Sequence, residues 1–148
     1  YLWANAPAMA GLRDVAFEKL FKCQDYGFVY FPYEYIYRLG KLHVTHGSIV
    51  RKHSALTAKA NFERYGASVI TGHTHRLGAY FHTNLAGPHV SYENGCLCRF
   101  DMEYAHDPDW QQGFAVVHVD TKTRYFSVQL IPILDRKTLY YGGERMVR

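Results

Sequence analysis

Apolar and polar positions follow two periods along this chain, and the change from one to the other outlines the fold. Leu12, Val15, Ala16, Leu20 and Cys23 recur at helical spacing, with Asp14 and Glu18 early in the segment where a helix dipole favours acids, so a helix is predicted over 11–24. Gly27 then opens the β-rich run Phe28-Val29-Tyr30-Phe31, which Pro32 stops. Tyr33, Tyr35 and Tyr37 alternate with Glu34 and Ile36 at the period of a strand. The short apolar runs 41–44 and 68–71 read as buried strands. Between them Ser54 is placed to cap a helix whose apolar face is Ala55, Ala58, Phe62 and Tyr65, with Gly66 at its end. A strand, helix and strand of this length predict a parallel crossover.

Past residue 75 the helical period disappears. Strands are predicted over 79–83, 89–92, 113–119 and 124–131, the last two joined by the polar loop Asp120-Thr121-Lys122-Thr123. Residues 104–112, with Asp107-Pro108-Asp109, read as a loop long enough to border a site. The sequence shows no repeat, low-complexity tract or linker, so the expectation is one α/β unit with a mixed sheet and an antiparallel finish.

Composition narrows this picture modestly. The 148 residues are 48% hydrophobic, enough for a core and against disorder. No apolar run approaches the roughly 20 residues that span a bilayer, so a soluble, cytoplasmic protein without a membrane partner is expected. A net charge of +4 favours anionic partners without naming one. Three cysteines, Cys23, Cys96 and Cys98, suit reduced and packed thiols, the last two expected on one side of a strand.

Candidate chemistry lies where the apolar runs end. Thr45-His46-Gly47 and Gly72-His73-Thr74-His75 each set imidazoles at a strand terminus beside a glycine, so three rings are placed to converge on one rim as nitrogen donors for a metal. Gly72 is expected to supply the sharp turn that splays His73 from His75. His43, three residues before His46, faces the other way on a strand and is set aside. His53, His82, His89, His106 and His118 lack comparable spacing. Arg51, Lys52 and Arg76 lie near the histidine loops; Arg51 and Arg76 are candidate ligands for a phosphate. The tyrosines at 33, 35 and 37 suit packing better than stacking on bases.

With Asn94-Gly95-Cys96 near a later strand end and the stretch from Trp110 to Phe114, these motifs resemble the C-terminal half of calcineurin-like metallophosphoesterases. The resemblance covers most of the chain. It implies an α/β fold, the C-terminal half of a four-layer αββα sandwich with antiparallel C-terminal strands. It implies a hydrolase acting as phosphatase, phosphodiesterase or nuclease through two divalent ions, manganese foremost with iron, zinc or magnesium as others. By the same resemblance His46 and His73 hold the second metal and His75 the first. The family's N-terminal motifs, Asp-x-His, Gly-Asp-x-x-Asp and Gly-Asn-His-Asp/Glu, do not occur in this sequence, and with them go the bridging aspartate, the asparagine ligand and the histidine that protonates the leaving group. The expectation is a chain beginning just after the last of these, incomplete and inactive alone, its site completed by the missing half or a partner chain. The alternative is a non-catalytic module on a degenerate phosphoesterase fold that binds nucleic acid or protein.

Overall fold

Pairing partners, more than local propensity, decide which of the predicted runs become strands. The computed structural model describes residues 16–101, 103 and 107–147. The chain divides into two compact units, Tyr1–Pro32 and Tyr33–Arg148.

In the first unit the predicted helix is short: α1 spans Phe17–Leu20, a 3-10 turn follows at Cys23–Tyr26, and residues 11–15 of the prediction lie outside those described. Lys22 adopts a left-handed conformation between the two, which interrupts the helix. Phe17 stacks on Phe21 and Tyr30 at centroid distances of 4.5 and 5.2 Å. Phe28-Val29-Tyr30-Phe31 forms no strand. Its β-rich composition makes a pairing surface, and no strand among the described residues pairs with it.

The second unit is built on a five-stranded mixed sheet. Its strands are β1 (Tyr37–Leu39), β2 (Leu42–Thr45), β3 (Val69–Thr71), β4 (Leu77–Asn84) and β5 (Gly87–Asn94), in the order β1-β2-β3-β5-β4. β2, β3 and β5 run parallel, with His43 opposite Val69 and Ile70 opposite Tyr92, while β1 and β4 are antiparallel edges. The helix α2 (Leu56–Tyr65) makes the crossover from β2 to β3 as predicted.

Side-chain alternation gives each face of the sheet its own cover. Leu42, Ile70 and Tyr92 point to one face and pack with Val44, Ala79 and Val90. That face is covered by Ala115, Val117, Val128 and Leu130 of an antiparallel ribbon, β6 (Gly113–Val119) and β7 (Phe126–Pro132). On the other face Phe62 of α2 meets the rings of Tyr80, His82 and His89. Helix, sheet and ribbon therefore stack in three layers. Asp120 holds the ribbon's turn, its carboxylate accepting the Lys122 and Thr123 amides and the Thr123 hydroxyl at 2.8–3.3 Å.

Two details depart from the sequence reading. Ser54 does not cap α2: the N-cap is Ala55, at φ +67, and the Ser54 hydroxyl instead donates to the Leu77 carbonyl. Of the tyrosine run only Tyr37 enters a strand, whereas Tyr33 lies in a turn. A further hairpin, β8 (Thr138–Tyr141) and β9 (Glu144–Val147), turns at Gly142-Gly143, both with positive φ. No helix among the described residues is long and apolar enough to cross a membrane.

Candidate metal centre

The three parallel strands end on the same side, and the chemistry-bearing residues follow immediately. His46 comes after β2, His73 and His75 after β3, and Cys96 after β5. Carboxyl ends of parallel strands are where open α/β sheets present ligand sites, because diverging loops leave a crevice there.

His46 and His73 are brought together. Their rings lie 5.0 Å apart, edge to face, and the His46 carbonyl accepts the amides of Gly72 and His73 at 3.2 and 3.0 Å, tying the two loops at the backbone. The His46 Nδ1–H donates to the Gly47 carbonyl at 2.8 Å, which leaves Nε2 of the neutral ring with a free lone pair. The Tyr33 hydroxyl donates to the same carbonyl at 2.7 Å, and its ring tilts against His46 at 4.6 Å. Tyr33 therefore orients a candidate ligand, a role its alternation with Glu34 concealed.

His73 and His75 are both held below the ordinary histidine range. Burial is the larger cause for each; the charges of His46 and His75 add to it at His73, and that of His46 at His75. Both rings therefore favour the neutral form that donates to a metal.

The glycine assignments change in one respect. Gly72 has no positive φ; His75 itself takes the left-handed conformation, at φ +58. Gly47 behaves as expected, at φ +85, and a Cβ placed on it would lie only 3.1 Å from Thr71 Cβ and Cγ2. Gly47→Ala is expected to cost about 1–3 kcal/mol in urea unfolding and to weaken metal binding by displacing His46. A variant as stable as the parent would remove the close approach from the account.

His75 diverges towards different neighbours. Its ring sits edge-on to Trp110 at 4.5 Å, and its Nδ1 is 3.9 Å from Cys98 Sγ. Cys96 and Cys98 do not share a strand, since β5 ends at Asn94; Cys96 forms an isolated bridge with Gln112 and Cys98 lies in a bend. Burial, then the hydrogen bond and charge of Cys98, push the Cys96 thiol up to about 11.

Both candidate arginines donate to backbone carbonyls. Arg76 donates to the Asp109 carbonyl at 3.0 Å and the Arg51 carbonyl at 2.6 Å, and lies 3.3 Å from the Asp109 carboxylate. Its guanidinium staples three loops. Arg51 donates to its own neighbour's carbonyl, Val50, at 3.0 Å.

One important residue escaped the sequence reading. Glu93 is fully buried; its carboxyl accepts the Thr74 hydroxyl and the Ala55 amide, both at 2.6 Å. It thus joins the start of α2 to the residue between His73 and His75. A lone acid in the strand pattern Ser91-Tyr92-Glu93 carried a faint signal, because an acid on a covered sheet face must be paired.

Two curated phage proteins resemble the chain. The Gene 54 protein of Mycobacterium phage D29 is 34% identical to it, and that of Mycobacterium phage L5 is 32% identical; each alignment covers 90% of this chain and 56% of the relative. The chain thus spans just over half the length of these curated relatives. No family model and no solved structure matches it.

Proposed function

We propose that this chain is the C-terminal part of a metal-dependent phosphoesterase, with His46, His73 and His75 as three nitrogen donors of a dinuclear centre. The observation that carries the reading is the 5.0 Å approach of His46 and His73 at the carboxyl ends of adjacent parallel strands. The three-layer stacking of helix, sheet and ribbon is consistent with most of an αββα sandwich.

The donor set fits divalent ions in type but not in charge. Imidazoles offer nitrogen and no negative charge, and nearby acids are engaged elsewhere, Glu93 with Thr74 and Ala55 and Asp109 with Arg76. Carboxylates from outside these 148 residues complete the centre. When bound, such ions supply the positive charge that stabilises phosphoryl transfer and acidifies water. This chain's contribution is orientation: the Gly47 carbonyl fixes the His46 tautomer, and the loops fix the spacing between His46 and His73.

In the full-length protein, hydrolysis of bis(p-nitrophenyl) phosphate is expected to require divalent metal, to stop with chelator and to return with manganese. Absence of metal-stimulated hydrolysis of this diester and of p-nitrophenyl phosphate would end the phosphoesterase reading.

A further inference from the structure

Cys96 and Cys98 remain unused by that reading, yet they lie against one of its histidines. The three side chains offer one nitrogen and two sulfur atoms, all within 4.8 Å of one another. We propose that His75, Cys96 and Cys98 form a zinc site of their own, with two thiolates and one imidazole as ligands.

Geometry supports this. A tetrahedral zinc with Zn–S about 2.3 Å and Zn–N about 2.0 Å holds its donors roughly 3.5–3.8 Å apart. The His75 Nδ1 to Cys98 Sγ separation is 3.9 Å, and the full set spans no more than 4.8 Å, so closure needs shifts of about an ångström or less. Cys98 lies in a bend beside the exposed Leu97, where such a shift meets little packing.

The ligand-bearing segments are also held together by one short stretch of chain. Gln111 donates its amide to the His75 carbonyl at 2.9 Å, and its own carbonyl accepts the Cys96 amide at 3.1 Å. The Gln112 side chain donates to the Cys98 carbonyl at 2.9 Å, and the Gly113 amide to that of Cys96 at 2.9 Å. Residues 111–113 thus clamp all three positions before any ion arrives. His75 holds a left-handed backbone at this point, and its ring lies beside Cys98.

Charge distinguishes this cluster from the other histidines. Two thiolates neutralise one Zn²⁺, whereas imidazoles alone leave its charge uncompensated, so the sulfur site needs no acid from elsewhere. Thiolate ligands also select zinc over manganese or magnesium, which prefer oxygen. Three protein ligands leave a fourth position open, as in catalytic rather than closed structural zinc sites. Each bound thiol releases its proton to solvent, with no change in oxidation state. The site stands apart from the dinuclear reading except for sharing His75.

The test is cobalt substitution in the reduced full-length protein. One equivalent of Co²⁺ is expected to give a thiolate-to-cobalt charge-transfer absorption that one equivalent of Zn²⁺ abolishes. The band should persist in His46→Ala and His73→Ala, and disappear in the Cys96→Ser, Cys98→Ser double variant, which should bind zinc at least about a hundredfold more weakly. Circular dichroism of the double variant checks its fold. A parent spectrum without the thiolate band overturns the proposal whatever the variants do, and so does zinc affinity unchanged by the double substitution. A parent protein that shows the band but no metal-stimulated hydrolysis would sink the phosphoesterase reading alone.

Discussion

His73→Ala is expected to lower metal-stimulated hydrolysis by the full-length protein at least about a hundredfold while leaving its unfolding midpoint nearly unchanged. A group that only orients a ligand is worth roughly 10–100-fold in metal affinity or activity, and a ligand exceeds the groups that orient it. His46→Ala should behave alike, because the two rings meet edge to face at 5.0 Å and the His46 carbonyl carries the Gly72 and His73 amides. That carbonyl belongs to the backbone and survives both substitutions, so the loops stay tied. His46 is exposed, and its ring meets the next carbonyl and the rings of Tyr33 and His73 at the rim, so stability should change by no more than about 0.5 kcal/mol. Rates within a factor of a few of the parent in both variants would remove these residues from the chemistry. His75→Ala should remove both hydrolysis and the cobalt-thiolate band, since that residue serves both proposed sites.

The second large effect lies out of sight of the rim. Glu93→Ala strips the hydroxyl of Thr74 and the amide of Ala55 of their acceptor at a position with no solvent access. Leaving a buried polar group unpaired costs about 1–3 kcal/mol, so a loss of about 3 kcal/mol is expected in urea unfolding. Glu93→Gln should be milder: its carbonyl can face the Ala55 amide while the Thr74 hydroxyl rotates to accept from its NH₂. Because Thr74 separates His73 from His75, the alanine variant should also weaken metal binding, measured by zinc titration without denaturant at a temperature where it is folded. A Glu93→Ala protein within about 0.5 kcal/mol of the parent would show that this carboxyl does not tie the histidine loop to α2.

How much of this was legible differs from element to element. The crossover β2–α2–β3 was readable because its strands are short and apolar, Ala58 and Phe62 mark one helix face, and Gly66 takes the left-handed C-cap at φ +62. The ribbon's ends were nearly right for the same reason. Phe28 to Phe31 misled because β-propensity describes a surface suited to pairing and is silent about whether a partner exists. The hairpin at Gly142-Gly143 was missed although two adjacent glycines are a turn signal, since the flanking runs alternate weakly. Cys96 and Cys98 were expected on one side of a strand, but β5 ends at Asn94, two residues before the first of them, and spacing alone did not reveal their approach to His75.

The order of residues by itself determined that imidazoles follow two buried strands and that a helix of fitting length returns the chain between them; periodicity and local chemistry suffice for that. Tertiary structure alone decided that β5 lies beside β3, which carries Cys96 to His75, and that Glu93 reaches the start of α2. Such meetings join residues far apart in the chain. They depend on which edges pair and which faces are covered, and no local pattern of polar and apolar positions encodes that choice.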